Sequence, residues 1–167
     1  MPSIFVVRVT GDCPLHDPDV VDEVITRYFK SKADYTKQPE NYPEGVDTEV
    51  CSFKALERAW QEAKLPSERE HVTLFIRNHP EMFTLDSWTN GDFNYSTMHW
   101  SVDTAEDFAF ATKVYEYFGE RMFHMRDVLE LLRMQPELLE IHKGGTGYEG
   151  LAKSLREDSE WLQNHGK

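Results

Sequence analysis

The sequence predicts a three-layer α/β domain built on a mixed sheet, and three observations carry that expectation. Residues 4–10, IFVVRVT, form an apolar, β-branched run without polar alternation, the pattern of a strand covered on both faces as in a parallel sheet. A turn cluster, Gly11-Asp12-Cys13-Pro14, and then a helical repeat follow directly, which makes a βα unit. Two alternating runs, 82–88 and 95–102, flank Thr89-Asn90-Gly91-Asp92 and predict a later strand pair joined in hairpin fashion.

The elements follow in order. Asp17 suits an N-cap and Pro18 the first helical position, and Val20, Val21, Val24, Ile25 and Tyr28 recur at helical spacing. Residues 31–46 are polar and contain Pro39, Pro43 and Gly45, so they read as a loop holding one short strand near Tyr35. A strand is expected over 48–53. Ser52 then caps a helix whose apolar face is predicted as Phe53, Leu56, Ala59, Trp60 and Ala63. Ser67 with Glu70 three residues on predicts a capping box for the next helix, which contains Val72, Phe75 and Ile76 and stops at Pro80. Helices are expected at about 104–118 and 125–134. Beyond Pro136 the signal weakens through Gly144, Gly145 and Gly147 before an amphipathic stretch over 148–162. Residues 1–167 are read as a single domain, with 144–167 as a C-terminal helical extension.

Composition narrows the partners. The chain has 167 residues, of which 18 are Lys or Arg and 30 are Asp or Glu, a formal charge of −12. So negative a field repels nucleic acid and anionic bilayers, while a small phosphorylated ligand held through a cation stays compatible. The longest apolar runs fall short of a membrane span and no leader pattern opens the chain, so a cytoplasmic protein is expected. Cys13 and Cys51 are too few for a disulfide scaffold and too widely spaced for a CxxC zinc pair. The sequence holds no GxSxG or P-loop motif and no HxxxH pair.

The candidate residues are carboxylates. Asp12 sits in a turn after the first strand, where α/β sheets bind ligands, and it also suits plain turn chemistry. Asp103 follows a predicted strand, and Asp103-Thr104-Ala105-Glu106 equally fits a capping box. Two carboxylates at the ends of strands in one sheet can share a Mg²⁺ whose remaining positions go to phosphate and water. The segment from Tyr42 to Glu49 reads either as a polar rim round a ligand or as a turn and strand edge. Glu68-Arg69-Glu70-His71 reads as a charged helix start, and His99, between Met98 and Trp100, as a packed strand residue before a base or ligand.

Five segments in order, RVTGDCPL (8–15), YPEGVDTEV (42–50), SFKALERA (52–59), LPSEREHVT (65–73) and WSVDTAEDF (100–108), resemble the spore-coat polysaccharide biosynthesis family of cytidylyltransferase-like proteins, relatives of the CMP-sugar-acid synthetases. The resemblance implies a glycosyltransferase-A-like nucleotidyltransferase sandwich and attack of a sugar oxygen on the α-phosphate of CTP. It implies Asp12 and Asp103 as catalytic ligands of Mg²⁺, with Arg8, Gly11, Glu49, Glu70 and His71 on the substrate side. Family members open with a strand and a basic, glycine-containing loop that grips the nucleotide. No counterpart precedes Arg8 here, so the chain is expected to be N-terminally truncated relative to the family. Two readings follow: a cytidylyltransferase acting on CTP and a sugar or sugar acid, or a non-catalytic remnant serving as an oligomeric interaction module. Strand 4–10 would then lack a neighbour on one side, and a homodimer or a partner covering it is expected.

Overall fold

The computed structural model describes residues 4–141 and 149–165. β1 (Phe5–Arg8) leads through the Gly11-Asp12 turn to α1 (Pro18–Ser31). β2 (Tyr35–Lys37) and β3 (Glu49–Ser52) follow, then α2 (Phe53–Glu62), α3 (Pro66–Glu70), α4 (Leu74–Asn78), α5 (Ala105–Phe118), α6 (Met125–Met134), a 3₁₀ turn (Pro136–Glu140) and α7 (Glu149–His165).

Among the described residues the sheet has three strands in the order β1-β3-β2, both pairings antiparallel. Side chains alternate across it. Val7 and Val50 face a core with α1, α5 and α6, where Val24, Trp100, Phe110 and Leu131 are closed to solvent. Val6 and Cys51, their neighbours in sequence, face a second core with Ala55, Ala59, Phe75 and Ile76 of α2 and α4. The period of two in a strand thus puts helices on both faces, which is why Val50-Cys51 and Val6-Val7 are apolar without alternation.

Several expectations are corrected. Among the described residues the sheet is antiparallel rather than mixed, while β1 lies at its edge with Phe5 exposed, as the missing neighbour of strand 4–10 led one to expect. Among the described residues the parallel component survives only as single bridges, Tyr35 to Leu85 and Glu44 to His99, so 82–88 and 95–102 are irregular segments, the second with a turn at Ser96-Thr97, rather than strands. They do not pair as a hairpin: residues 84–86 bond to Asp34 and Tyr35, while Met98 and Trp100 bond to Glu44, each segment being captured by a different neighbour.

Ser52 caps α2 through the Ala55 amide at 3.1 Å as expected, but α2 buries Ala55 and Ala59 and leaves Phe53 and Trp60 46% and 68% exposed. Close packing of α2 on β3 and α4 selects the small residues for the inner face. The predicted capping box at Ser67 is replaced by a tertiary cap. Asp158 of α7 accepts from the Ser67 amide at 2.9 Å and from its hydroxyl at 2.6 Å, and the helical run breaks at His71 into α3 and α4. The capping box of α5 uses Thr104 and Asp107, one residue later than the sequence suggested, and this leaves Asp103 outside it. Gly144, Gly145 and Gly147 lie outside the described residues.

Candidate functional site

The turn after β1 is fixed from inside. The Cys13 amide bonds the Thr10 carbonyl and the Cys13 thiol lies 3.0 Å from the Thr10 hydroxyl, buried beneath the turn. Burial, with the charges of Asp12 and Asp47, pushes that thiol up to about 12, so it stays protonated and is no nucleophile. Gly11 and Asp12 are exposed at the tip, and a Cβ on Gly11 would meet no atom within 4 Å. The Asp12 carbonyl accepts from the Val102 amide at 2.7 Å. That bond sets the Asp12 turn beside Asp103, and both carboxylates are exposed at this end of the sheet.

Asp103 is held by the residues just before it. Ser101 donates to Asp103 Oδ2 at 2.9 Å, and His99 Nε2 lies 3.3 Å from the same oxygen and 3.1 Å from the Ser101 hydroxyl. On its other side His99 Nδ1 donates to Glu44 Oε2 at 2.8 Å. Burial alone would disfavour a charged imidazole. The Glu44 hydrogen bond and the charges of Glu44, Asp107 and Asp103 outweigh it, and the His99 pKa rises. Burial likewise raises Glu44.

Glu44 reaches His99 because Gly45 lets the chains touch: it has φ 96°, and a Cβ there would lie 2.5 Å from the Ser101 nitrogen. Asp47 folds the loop by accepting from the Gly45 amide at 2.7 Å and from Gln38 at 2.6 Å. His16 sits under the influence of Asp47 and Asp12 with both ring nitrogens buried and unpartnered, and burial lowers its pKa to leave a neutral ring. A groove of about 700 Å³ opens beside Asp12 and Val102, walled by Phe108, Ala111 and Tyr115 of α5. A hard cation fits this donor set. Asp12 and Asp103 present exposed carboxylate oxygens, the ligand type Mg²⁺ takes, among further acids. Two tighter groups, His99-Asp103-Asp107 and Asp17-Asp19-His124, also bring three ligand atoms within 4.8 Å of one another. In both, one carboxylate is spent on capping: Asp107 accepts from the Asp103 and Thr104 amides, and Asp17 from the Asp19 and Met125 amides.

The remaining sequence candidates lie in other settings. Arg8 donates to Glu49 Oε2 at 2.6 Å across the β1–β3 pair, and Glu49 also accepts from Thr73 at 2.8 Å and from Tyr35. Burial would raise the Glu49 pKa; the bonds from Tyr35, Arg8 and Thr73 overcome it and hold the carboxylate below its usual range. Glu70 accepts from Ser154 of α7 at 2.6 Å, and His71 Nε2 is 3.2 Å from the same hydroxyl, so both face α7. Glu44, Asp47, Ser101 and His16 complete the Asp12–Asp103 group. Glu44 and Asp47 fall in the 42–49 segment read as a rim, and Gly45 between them was the available signal. His16 carried none.

A sequence profile described as cytidylyltransferase matches residues 2–143. The chain belongs to the cytidylyltransferase family. This family member is 32% identical over 139 residues to the spore coat polysaccharide biosynthesis protein SpsF of Bacillus subtilis, a match spanning 81% of the chain and 57% of SpsF. It is 29% identical over 138 residues to an uncharacterized protein of Methanocaldococcus jannaschii, covering 82% of the chain and 56% of that protein. A solved cytidylyltransferase from Leptospira borgpetersenii superposes with a TM-score of 0.74 at 26% identity, over 84% of this chain and 60% of that one. The chain therefore spans little more than half the length of these relatives. Among the described residues no helix is long and apolar enough to cross a membrane.

Proposed function

We propose that the chain is a nucleotidyltransferase of cell-surface or spore-coat polysaccharide synthesis that transfers CMP from CTP to a sugar or sugar acid in the cytoplasm. In this reading its sandwich corresponds to the C-terminal part of a glycosyltransferase-A-like fold shared with the CMP-sugar-acid synthetases. The observation that supports the proposal is the Asp12–Val102 backbone bond, which joins the two segments that carry the exposed residues Asp12 and Asp103 in a member of the cytidylyltransferase family. In the reaction a sugar hydroxyl oxygen forms a bond to the α-phosphorus of CTP, the α–β phosphoanhydride bond breaks, pyrophosphate leaves and the hydroxyl proton is released. Asp12 and Asp103 would hold a Mg²⁺, whose chemistry when bound is to offset charge on the α-phosphate and the leaving pyrophosphate.

The chain's other residues position these two. His99, clamped by Glu44, and the Ser101 hydroxyl fix one Asp103 oxygen and leave the other free. The groove along α5 gives a ligand next to Asp12 an apolar wall. Gly11 lets substrate approach the turn, and Arg8 with Glu49, and Glu70 with His71, support the substrate side from behind. Assembly belongs to the same reading: a second copy covers β1, whose outer edge pairs with no strand among the described residues and whose neighbours Ile4 and Phe29 are 70% and 57% exposed.

The competing reading is a non-catalytic interaction module, to which the exposed Ile4, Phe5 and Phe29 about the edge of β1 would lend a docking face. Calorimetric titration with Mg·CTP decides. Saturable binding that Asp12→Asn and Asp103→Asn each abolish is expected, and absence of heat from the folded chain would favour the module.

A further inference from the structure

A groove of about 500 Å³ separates α2 from α3 and the turn that follows it. Leu56 and Ala63 line it half-buried, while Phe53, Trp60 and Val72 line it 46%, 68% and 44% exposed. These are largely the apolar residues that α2 does not spend on its contact with β3 and α4, and they leave an open apolar trough.

One charge lies withdrawn in its wall. Glu68 is only 7% exposed and lines the groove. Ser67 and Glu70 on either side of it turn to α7, where they bond Asp158 and Ser154, whereas Glu68 turns with Arg69 and Val72 to the groove. Among the described residues Glu68 takes part in no hydrogen bond and no ion pair. Its oxygens are not sealed from solvent: the sealed, unpartnered side-chain atoms of the described residues belong to His16, Asn41 and Arg77.

The other buried acids are served. Asp17 accepts from the Asp19 and Met125 amides, Glu49 from Arg8, Tyr35 and Thr73, Asp107 from the Asp103 and Thr104 amides, and Asp158 from the amide and hydroxyl of Ser67. Arg69, the cation next to Glu68, gives its Nη1 to the Trp60 carbonyl at 2.6 Å instead. A carboxylate withdrawn from water without a donor is costly, and a cation that reaches it through the groove relieves that cost. A neutral apolar ligand would leave Glu68 unserved, and Glu57 on the same wall disfavours an anion further. The formal charge of −12 draws cations to the chain as a whole.

We infer that this groove binds a small organic ammonium ion, its charged head on the Glu68 carboxylate and its apolar body along Leu56, Ala63 and the exposed ring of Trp60. An indole face also attracts a cation directly. The inference stands on the groove and its unserved carboxylate and does not depend on nucleotidyl transfer at Asp12 and Asp103.

Three probes of like shape test it on the whole chain: 2-phenylethylammonium, the neutral 2-phenylethanol and the anionic 3-phenylpropionate, each followed through the Trp60 indole N–H resonance and by calorimetry. Saturable binding of the ammonium is expected, about tenfold or more weaker binding of the alcohol, and none of the carboxylate. Glu68→Gln, close to it in shape, should bring the affinity for the ammonium down to that for the alcohol with the circular dichroism spectrum retained. Val72→Lys, at an exposed position on the rim, should weaken binding independently by offering Glu68 an internal cation, and it serves where Glu68→Gln does not fold. The alcohol binding as well as the ammonium would mark a plain apolar surface of the kind another protein covers and would overturn the site. So would failure of the ammonium to bind the folded chain, or an affinity unchanged in the folded variants. Mg·CTP binding measured on the same samples reports separately on the Asp12–Asp103 reading.

Discussion

Glu44 and His99 are joined twice: their backbones form a parallel bridge, and Glu44 Oε2 accepts from His99 Nδ1 at 2.8 Å. The first link brings the 42–49 loop against the segment that carries Asp103. The second turns His99 so that its far nitrogen meets Asp103. A loop and an extended segment far apart in sequence thereby act as one support for a carboxylate.

That support requires Gly45. Gly45→Ala places a methyl 2.5 Å from backbone atoms of Trp100 and Ser101 at a φ of 96°, and neither neighbour is a side chain that can swing away. A loss of about 3 kcal/mol is expected from overpacking and backbone strain together. Gly119→Ala is the control for backbone strain alone: φ is 60° and ψ −132° there and the space is open, so about 2 kcal/mol is expected without any overpacking. Urea denaturation of both variants measures the difference.

Glu49 ties β1, β2 and α4 together through Arg8, Tyr35 and Thr73. Its pKa is lower folded than unfolded, so its stabilisation is complete above the unfolded value and is lost as pH falls through the folded one. The advantage of the wild type over Glu49→Gln should be constant at neutral pH, about 2 kcal/mol given a partly exposed Arg8, and should shrink below pH 4.5. Denaturation midpoints across an acid pH series follow it.

Asp158 caps α3 from a distance of 91 residues in sequence. Asp158→Ala strands the buried Ser67 amide and hydroxyl and should cost about 2 kcal/mol. Hydrogen exchange is expected to rise along α7 before it rises in β3. The double variant with Ser67→Ala should lose less than the sum of the two single losses, which a double-mutant cycle reads directly.

Light scattering addresses the β1 edge. A mass near twice 19.5 kDa is expected at micromolar concentration. Ile4→Glu, at an exposed position, should return it to the monomer value without unfolding the chain. A wild-type mass near 19.5 kDa would reject the dimer.

The sequence by itself determined the local elements: the bounds of α6 at 125–134, the Ser52 cap, the Asp17-Pro18 start of α1, the short strand at Tyr35 and the apolar strands that two helical layers cover. These rest on backbone chemistry and periodicity within a few residues, which the sequence displays directly. Only the tertiary structure decided which strand pairs with which, because 82–88 and 95–102 have strand-like alternation and yet each finds a different neighbour for a single bridge. It also decided that Asp158 rather than Glu70 completes the α3 cap, and that Thr104 rather than Asp103 caps α5. The candidate site divides the same way. Asp12 and Asp103 were legible from their places after predicted strands. Glu44 lay within the 42–49 segment without standing out in it, and the roles of His99 and His16 were not legible, because a buried histidine shows no periodicity and gains its chemical character from charges that only folding brings within reach.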